Sequence, residues 1–285
     1  MRDRVCMVTG ANSGIGKATA KGLAKMGATV VMVCRNKEKG QAALAEIKKE
    51  TGNDKIELLL ADFSSLESVR QLAHDFRDKY SKLHVLINNA GSFNRRRTAS
   101  KDGYEATLAI NYLAPFLLTN LLLDHLKTSA PTRIINVSSF LHYGGHIDFD
   151  DLNMKKRYGY WKAYQQSKLA LVLFTTELAR RLQGTRVTAN SVNPGRVATN
   201  LTSGILGRWN FVMSLPNLFI KSPKKGAETI VYLASSPEVE KISGEYWDNL
   251  KVKKSSEESY NENIAGRLWD VSEQLTHLKP LEVAN

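Results

Sequence analysis

Short apolar runs of strand-forming residues alternate with longer helical stretches along this chain, and that alternation restricts its fold more than any other feature. Parallel strands cannot be joined by a tight turn. They need a crossover of a dozen or more residues, usually a helix, so the expected unit is βαβ and the expected architecture is α/β: a doubly wound parallel sheet flanked by helices. Strands are predicted at residues 4–8, at 28–34 (ATVVMVC), at 55–60, 84–87, 133–137 and 186–192, with a seventh at GEYW near Gly244. Helices are predicted at 17–26, ended by Gly27, and at 38–50, 66–80, 104–126, 164–182 and 225–234. All 285 residues fit one domain. Within it, 1–100 are expected to bind mainly a cofactor, 101–200 to carry catalysis, 200–222 to form an apolar lid over a substrate pocket, and 250–285 to be a C-terminal extension.

The balance of 42% hydrophobic and 24% charged residues is that of a globular protein. A net charge of +12 favours anionic ligands or surfaces. Basic residues are spread along the chain, the longest runs being 95–97 and 251–254, without a zinc-finger or RNP-like pattern, so nucleic-acid binding is not expected. Two cysteines, Cys6 and Cys34, lie inside apolar runs and read as packed thiols in a reducing compartment; no metal site is expected. No signal peptide precedes VCMVTG, and no apolar run approaches the roughly 20 residues of a membrane span. The expected location is the cytoplasm, with peripheral membrane contact as the second expectation.

VTGANSGIG falls between the first strand and the first helix. In that context Gly10 permits a tight turn, Gly14 lets the backbone approach a pyrophosphate, and Gly16 lets helix and strand pack closely while the helix N-terminus faces the anion. Asn12, Ser13 and Ile15 share the turn and are grouped with the glycines as cofactor-binding. About 20 residues after the central glycine, where an NAD site places a carboxylate against the ribose, this chain has Cys34 and Arg35. Arg35 can pair with a 2′-phosphate, which favours NADP(H) over NAD(H). Asp62 is expected to accept a hydrogen bond from the adenine amino group with Phe63 flanking the ring, the alternative being an Asp that forms a turn. Asn89, Ala90 and Gly91 end the fourth strand, where an open doubly wound sheet places its ligand crevice.

Tyr164 and Lys168 lie four residues apart, on one face of the predicted helix. A cation beside a phenol favours phenolate, so the lysine is expected to bring the tyrosine toward the working pH of a general acid and base. Between Ser139 and Tyr164 runs a 25-residue interval carrying His142, Tyr143, Tyr158, Tyr160 and Trp161, read as walls of a substrate pocket or as surface packing.

Gly10, Gly14 and Gly16, NNAG at 88–91, Asn111, Ser138-Ser139, Tyr164 and Lys168, and Asn193-Pro194-Gly195 occur in an order that resembles the short-chain dehydrogenases/reductases over nearly the whole length. FLHYGGHIDFDDL, YQQSKLALVLFTTELARRL and RLWDVSEQLTHL are similar to the retinol dehydrogenase branch. The resemblance implies a catalytic tetrad of Asn111, Ser139, Tyr164 and Lys168. It also implies cofactor contacts from Tyr164, Lys168, Pro194, Gly195, Val197 and Thr199. Asn193 stands where the branch usually has His, and the branch's N-terminal anchor does not precede this first strand. The expected activity is NADP(H)-dependent hydride transfer to or from a small hydrophobic carbonyl or alcohol, such as a retinoid, fatty aldehyde or sterol-like ketone. An NADP(H)-binding redox sensor without turnover is the alternative. Self-association through the 104–126 and 164–182 helices is expected, since both are more apolar than one buried face requires.

Overall fold

The computed structural model describes residues 1–195 and 222–278. Eight strands form one sheet in the order β3-β2-β1-β4-β5-β6-β7-β8. These are β1 (Val5–Thr9), β2 (Thr29–Cys34), β3 (Ile56–Leu60), β4 (Val85–Asn88), β5 (Thr132–Val137), β6 (Val187–Asn193), β7 (Tyr246–Asp248) and β8 (Lys251–Lys253). Pairing is parallel from β3 through to β7. Only β8 runs antiparallel, and it was not anticipated because its sequence reads as a charge run. Lysines on an exposed edge strand discourage pairing with another chain, so the charge that hides the strand also suits its place.

Helices cover both faces, which is why the central strands are apolar throughout rather than alternating. On one face α1 (Gly14–Lys25), α2 (Lys37–Thr51) and α8 (Pro223–Ser235) pack through Ala20, Leu23, Ile47 and Ile230. On the other lie α3 (Leu66–Lys79), α5 (Ala114–Leu121), α7 (Tyr160–Arg181) and α9 (Glu262–Thr276). Asn36 and Ser65 cap α2 and α3 with side-chain oxygens, and Gly52 ends α2 in the left-handed region at φ 66°.

The single long helix expected over 104–126 is instead a broken series. α4 (Ala106–Leu108) leads into a π-turn at Ala109–Leu113, then α5, then α6 (Leu123–Thr128). Glu105 caps the start by accepting from the amides of Thr107 and Leu108. Pro115 has no N–H to offer the carbonyl of Asn111, which weakens the regular ladder where the wider turn forms.

Much of the apolar surface of α5 and α7 packs within this chain. α9 lies against α7, and Trp269 inserts edge-on to Phe116 (5.1 Å between centroids) and beside Phe174 (5.7 Å), with the Arg181 guanidinium 4.2 Å from its ring. Tyr112 and Ser272 share a hydrogen bond of 2.6 Å, and the Tyr104 hydroxyl donates to the Leu275 carbonyl. Among the described residues, no helix is long and apolar enough to cross a membrane.

With Trp269 only 2% exposed at the centre of this cluster, Trp269→Ala should cost about 3–5 kcal/mol, the range for emptying a large aromatic site. Urea titration followed by circular dichroism measures it. A loss under 1 kcal/mol would mean that α9 is not part of the cooperative core.

Candidate active site

β1 and β4 are neighbours whose connecting helices leave on opposite faces, so a cleft opens beyond their carboxyl ends. Its volume is about 550 Å³. It reaches from exposed Arg35 at the end of β2 to the buried ring of Tyr164.

The glycine turn forms one wall. Gly10 and Gly14 adopt φ of 67° and 54°, where a side chain would be strained, and a Cβ on Gly16 would overlap the Gly10 carbonyl and the Asn89 amide. Ser13 begins α1 without capping it through its side chain, unlike the residues that open α2 and α3. The first-turn N–H groups of α1 therefore open on the cleft beside Asn12 and Ile15, a donor set that suits a phosphate group. The opposite wall is sewn to this turn. Thr9 Oγ1 accepts from the amides of Asn89 and Ala90 at 2.9 Å each, and the Asn89 side chain donates to the Thr9 carbonyl at 2.7 Å.

Arg35 makes no hydrogen bond or ion pair among the described residues, and it lines the cleft together with Lys39. Two cations thus border this end, neither of them in an ion pair among the described residues. Asp62 is differently placed. Its Oδ1 accepts from the amide and hydroxyl of Ser64, and Oδ2 lies 3.1 Å from Lys101 Nζ. Burial alone would raise its pKa, but these bonds and the Lys101 charge lower it on balance. Asp62 thus holds a local turn while it and Phe63, 7% exposed and packed on the core, both line the cleft.

At the inner end, the π-turn delivers Asn111 into the wall. Its Nδ2 donates to the Ser92 carbonyl and to Ser167 Oγ, both at 3.0 Å, while Oδ1 accepts from the Ser92 amide at 2.7 Å. A Cβ on Gly91 would stand 3.3 Å from Asn111 Oδ1 and 3.8 Å from Lys168 Nζ, so the two polar groups converge across this glycine. Lys168 Nζ donates to the Val137 carbonyl at 2.8 Å and lies 5.6 Å from the centre of the Tyr164 ring.

The adjacent serines have separate partners. Ser138 Oγ donates to the Lys168 carbonyl and anchors α7 to β5, whereas the Ser139 side chain faces the Tyr164 phenol closely enough to lower its pKa. Burial pushes Tyr164 up to about 12, partly offset by Ser139, and it pushes Lys168 down to about 8. The expected pull of the lysine on the phenol is thus outweighed by desolvation of both groups. Cys6 and Cys34 are buried free thiols, each with its pKa raised by burial.

Only part of the aromatic loop reaches this end. Tyr160 and Trp161 cluster around Phe93, at 5.7 and 5.1 Å, and Phe93 lies 5.2 Å from the Tyr164 ring. Tyr158 donates to the carbonyl of Asn94, which lines the cleft, Tyr143 donates to that of Lys254, and His142 is wholly buried, the packing arrangement weighed beside the pocket-wall reading. Phe93 was missed, although its place two residues after NNAG was a usable signal. Pro194 lines the cleft, and the Gly195 amide donates to Asn193 Oδ1. Val197, Thr199 and the expected lid, apart from Ser222, lie outside the described residues.

The chain matches the family described as short chain dehydrogenase over residues 4–207. It is 45% identical to human retinol dehydrogenase 13 over 282 residues, 97% of this chain and 85% of that protein. Among solved structures, an uncharacterized protein from Mycobacterium paratuberculosis aligns with a TM-score of 0.79 at 35% identity, covering 97% of this chain and 94% of that one. A short chain dehydrogenase from Escherichia coli CFT073 complexed with NADPH aligns with a TM-score of 0.71 at 26% identity, covering 87% and 97%. Glycine turn, cleft and paired serines thus sit in a chain that belongs to the short-chain dehydrogenase family of oxidoreductases, in its retinol dehydrogenase-like branch.

Proposed function

We propose that the protein is an NADP(H)-dependent oxidoreductase that interconverts a hydrophobic alcohol and its carbonyl compound, with Tyr164 as the general acid and base. One observation carries the reading: the Tyr164 hydroxyl, facing Ser139 and beside Lys168, lies at the inner end of a cleft whose outer end is bordered by Arg35. A dinucleotide would extend between these ends, its phosphates on the α1 N-terminus, its 2′-phosphate at Arg35 and its ribose near Tyr164 and Lys168. Pro194 and Gly195 would border its nicotinamide end. In this division of labour residues 1–100 hold most of the cofactor and 101–200 carry the proton chemistry.

The bound nicotinamide supplies a hydride to the carbonyl carbon, or takes one from the alcohol carbon. The chain's own task is the proton and the charge on oxygen. Tyr164, kept protonated by burial, would donate to the oxygen in reduction; in oxidation it would first give up that proton, and the phenolate would accept the one from the alcohol. Ser139, whose side chain faces the phenol and lowers its pKa, would donate to the same oxygen and stabilise its developing charge. The Lys168 ammonium, held by the Val137 carbonyl, adds positive potential beneath the phenol. Asn111 braces Ser92 and faces Lys168 across Gly91, which fixes that side of the proton site. The Phe93, Tyr160 and Trp161 rings supply an apolar approach to Tyr164, and the retinol dehydrogenase relatives support an apolar alcohol as substrate.

Tyr164→Phe should lower kcat for NADPH-dependent reduction of retinal or a medium-chain aldehyde by about 10²–10⁴-fold, with NADPH affinity nearly unchanged. Stopped-flow turnover and cofactor titration check both halves, and parental turnover would remove Tyr164 from the chemistry. Arg35→Asp should shift the kcat/KM ratio toward NADH by roughly 10- to 100-fold, the equivalent of one charge-assisted hydrogen bond. An unchanged ratio would place the 2′-phosphate elsewhere. Lys168 is protonated below its pKa and neutral above it, so reductive kcat/KM should be level at lower pH and fall as pH rises through about 8. A profile that stays level through pH 10 would show that the ammonium is not required.

A further inference from the structure

His142 was expected on the pocket wall, yet it lies below the site with no exposure and with both ring nitrogens engaged. Nε2 is 3.3 Å from the Ser256 amide and 2.9 Å from Ser255 Oγ. An amide can only donate, so Nε2 accepts, and the ring proton resides on Nδ1. Nδ1 lies 2.7 Å from the Ser139 carbonyl and donates to it. Burial lowers the pKa of His142, opposed by the bond to Ser139, which keeps this neutral tautomer. The ring is packed between Tyr143 and Tyr246, at 4.2 and 4.5 Å between centroids.

The neighbouring contacts run in the same direction. Tyr143 donates to the Lys254 carbonyl, and the Ile147 amide and His146 both bond the Glu258 carboxylate. The turn that begins at Ser139 is therefore clipped to residues 254–258 at several points, and His142 is the clip that bonds Ser139 itself. Ser139 Oγ accepts from the Leu141 amide within this turn, so the direction of the hydroxyl depends on how the turn is held.

We propose that His142 is a positioning residue: by joining the Ser139 carbonyl to Ser255 and Ser256, it holds the Ser139 hydroxyl in register with Tyr164. This rests on the reading of Ser139 as the donor to the substrate oxygen. Nothing in it requires His142 to meet substrate or cofactor.

A double-mutant cycle on the full chain tests it, using NADPH and a medium-chain aldehyde with Ser139→Ala, His142→Leu and the pair. Leu fills the space without bonding. His142→Leu should lower kcat about 10- to 100-fold, the scale for an active group displaced by an ångström, with KM for NADPH unchanged. In the Ser139→Ala background the same change should cost less than about twofold, because its effect passes through the serine. His142→Gln, whose amide can donate to Ser139 and accept from Ser256, should regain most of the lost turnover. Equal losses in both backgrounds, or turnover within twofold of the parent for His142→Leu, overturn the proposal while leaving the role of Ser139 intact. Parental turnover for Ser139→Ala itself overturns the reading of the serine and this proposal with it. Should His142→Leu fail to fold, Ser255→Ala, which removes one partner of Nε2, takes its place in the cycle, with about a 3- to 10-fold loss expected and additivity again the overturning result.

Discussion

The parallel pairing of β1 with β4 is the constraint on which the site depends. After β3 the chain crosses back past β1 and winds the rest of the sheet in the opposite direction, so the connections leaving β1 and β4 diverge and leave their carboxyl ends uncovered. A gap alone would be a loose gap. Thr9 closes its floor by gathering the Asn89 and Ala90 amides and the Asn89 side chain, and Gly16 lets α1 come close enough for this contact. Deeper in the sheet, Asn88 donates to Asn136 and Thr119, and Asn136 donates to Thr175, so polar bonds in an apolar interior tie β4 to β5 and to the α7 helix that bears Tyr164. Such bonds fix register, because any slip would strand buried amides.

Burial sets the electrostatics of Tyr164 and Lys168 more strongly than charge does. Tyr164 and Lys168 move in opposite directions from their ordinary values, each toward its neutral form, as desolvation requires. The site is thus prepared with a phenol that keeps its proton and a lysine whose charge is readily surrendered. Ser139 works against the first of these shifts, which ties the placement of one hydroxyl to the acidity of the other.

The sequence made the repeating βαβ plan, the order of the central strands' elements and the glycine turn legible, because periodicity and glycine placement are local signals. Tyr164 and Lys168 were legible for the same reason: four residues on a helix is a local distance. What it hid was long-range or context-dependent. The break in the 104–126 helix follows from Pro115 acting on a turn that carries Asn111, and β8 is concealed by lysines that only an edge strand tolerates. Phe93 joins Tyr160 and Trp161 across the fold, and His142 looked like any aromatic in a loop until its partners, more than a hundred residues away, were in place. Asp62 is ambiguous in the sequence because one residue type serves turns and ligands alike, and in the fold it both bonds Ser64 and Lys101 and lines the cleft.

The late position of these partners in the chain has a consequence for synthesis. Asn111, Ser139, Tyr164 and Lys168 have all been made once Lys168 emerges, yet α7 is covered only when α9 arrives, and the Ser139 turn is clipped only by residues 254–258. A nascent chain halted between these points carries all four side chains together with an uncovered face of leucine and phenylalanine, the state in which chaperones would bind it. The cleft's inner end is therefore secured by residues synthesised long after the ones that line it.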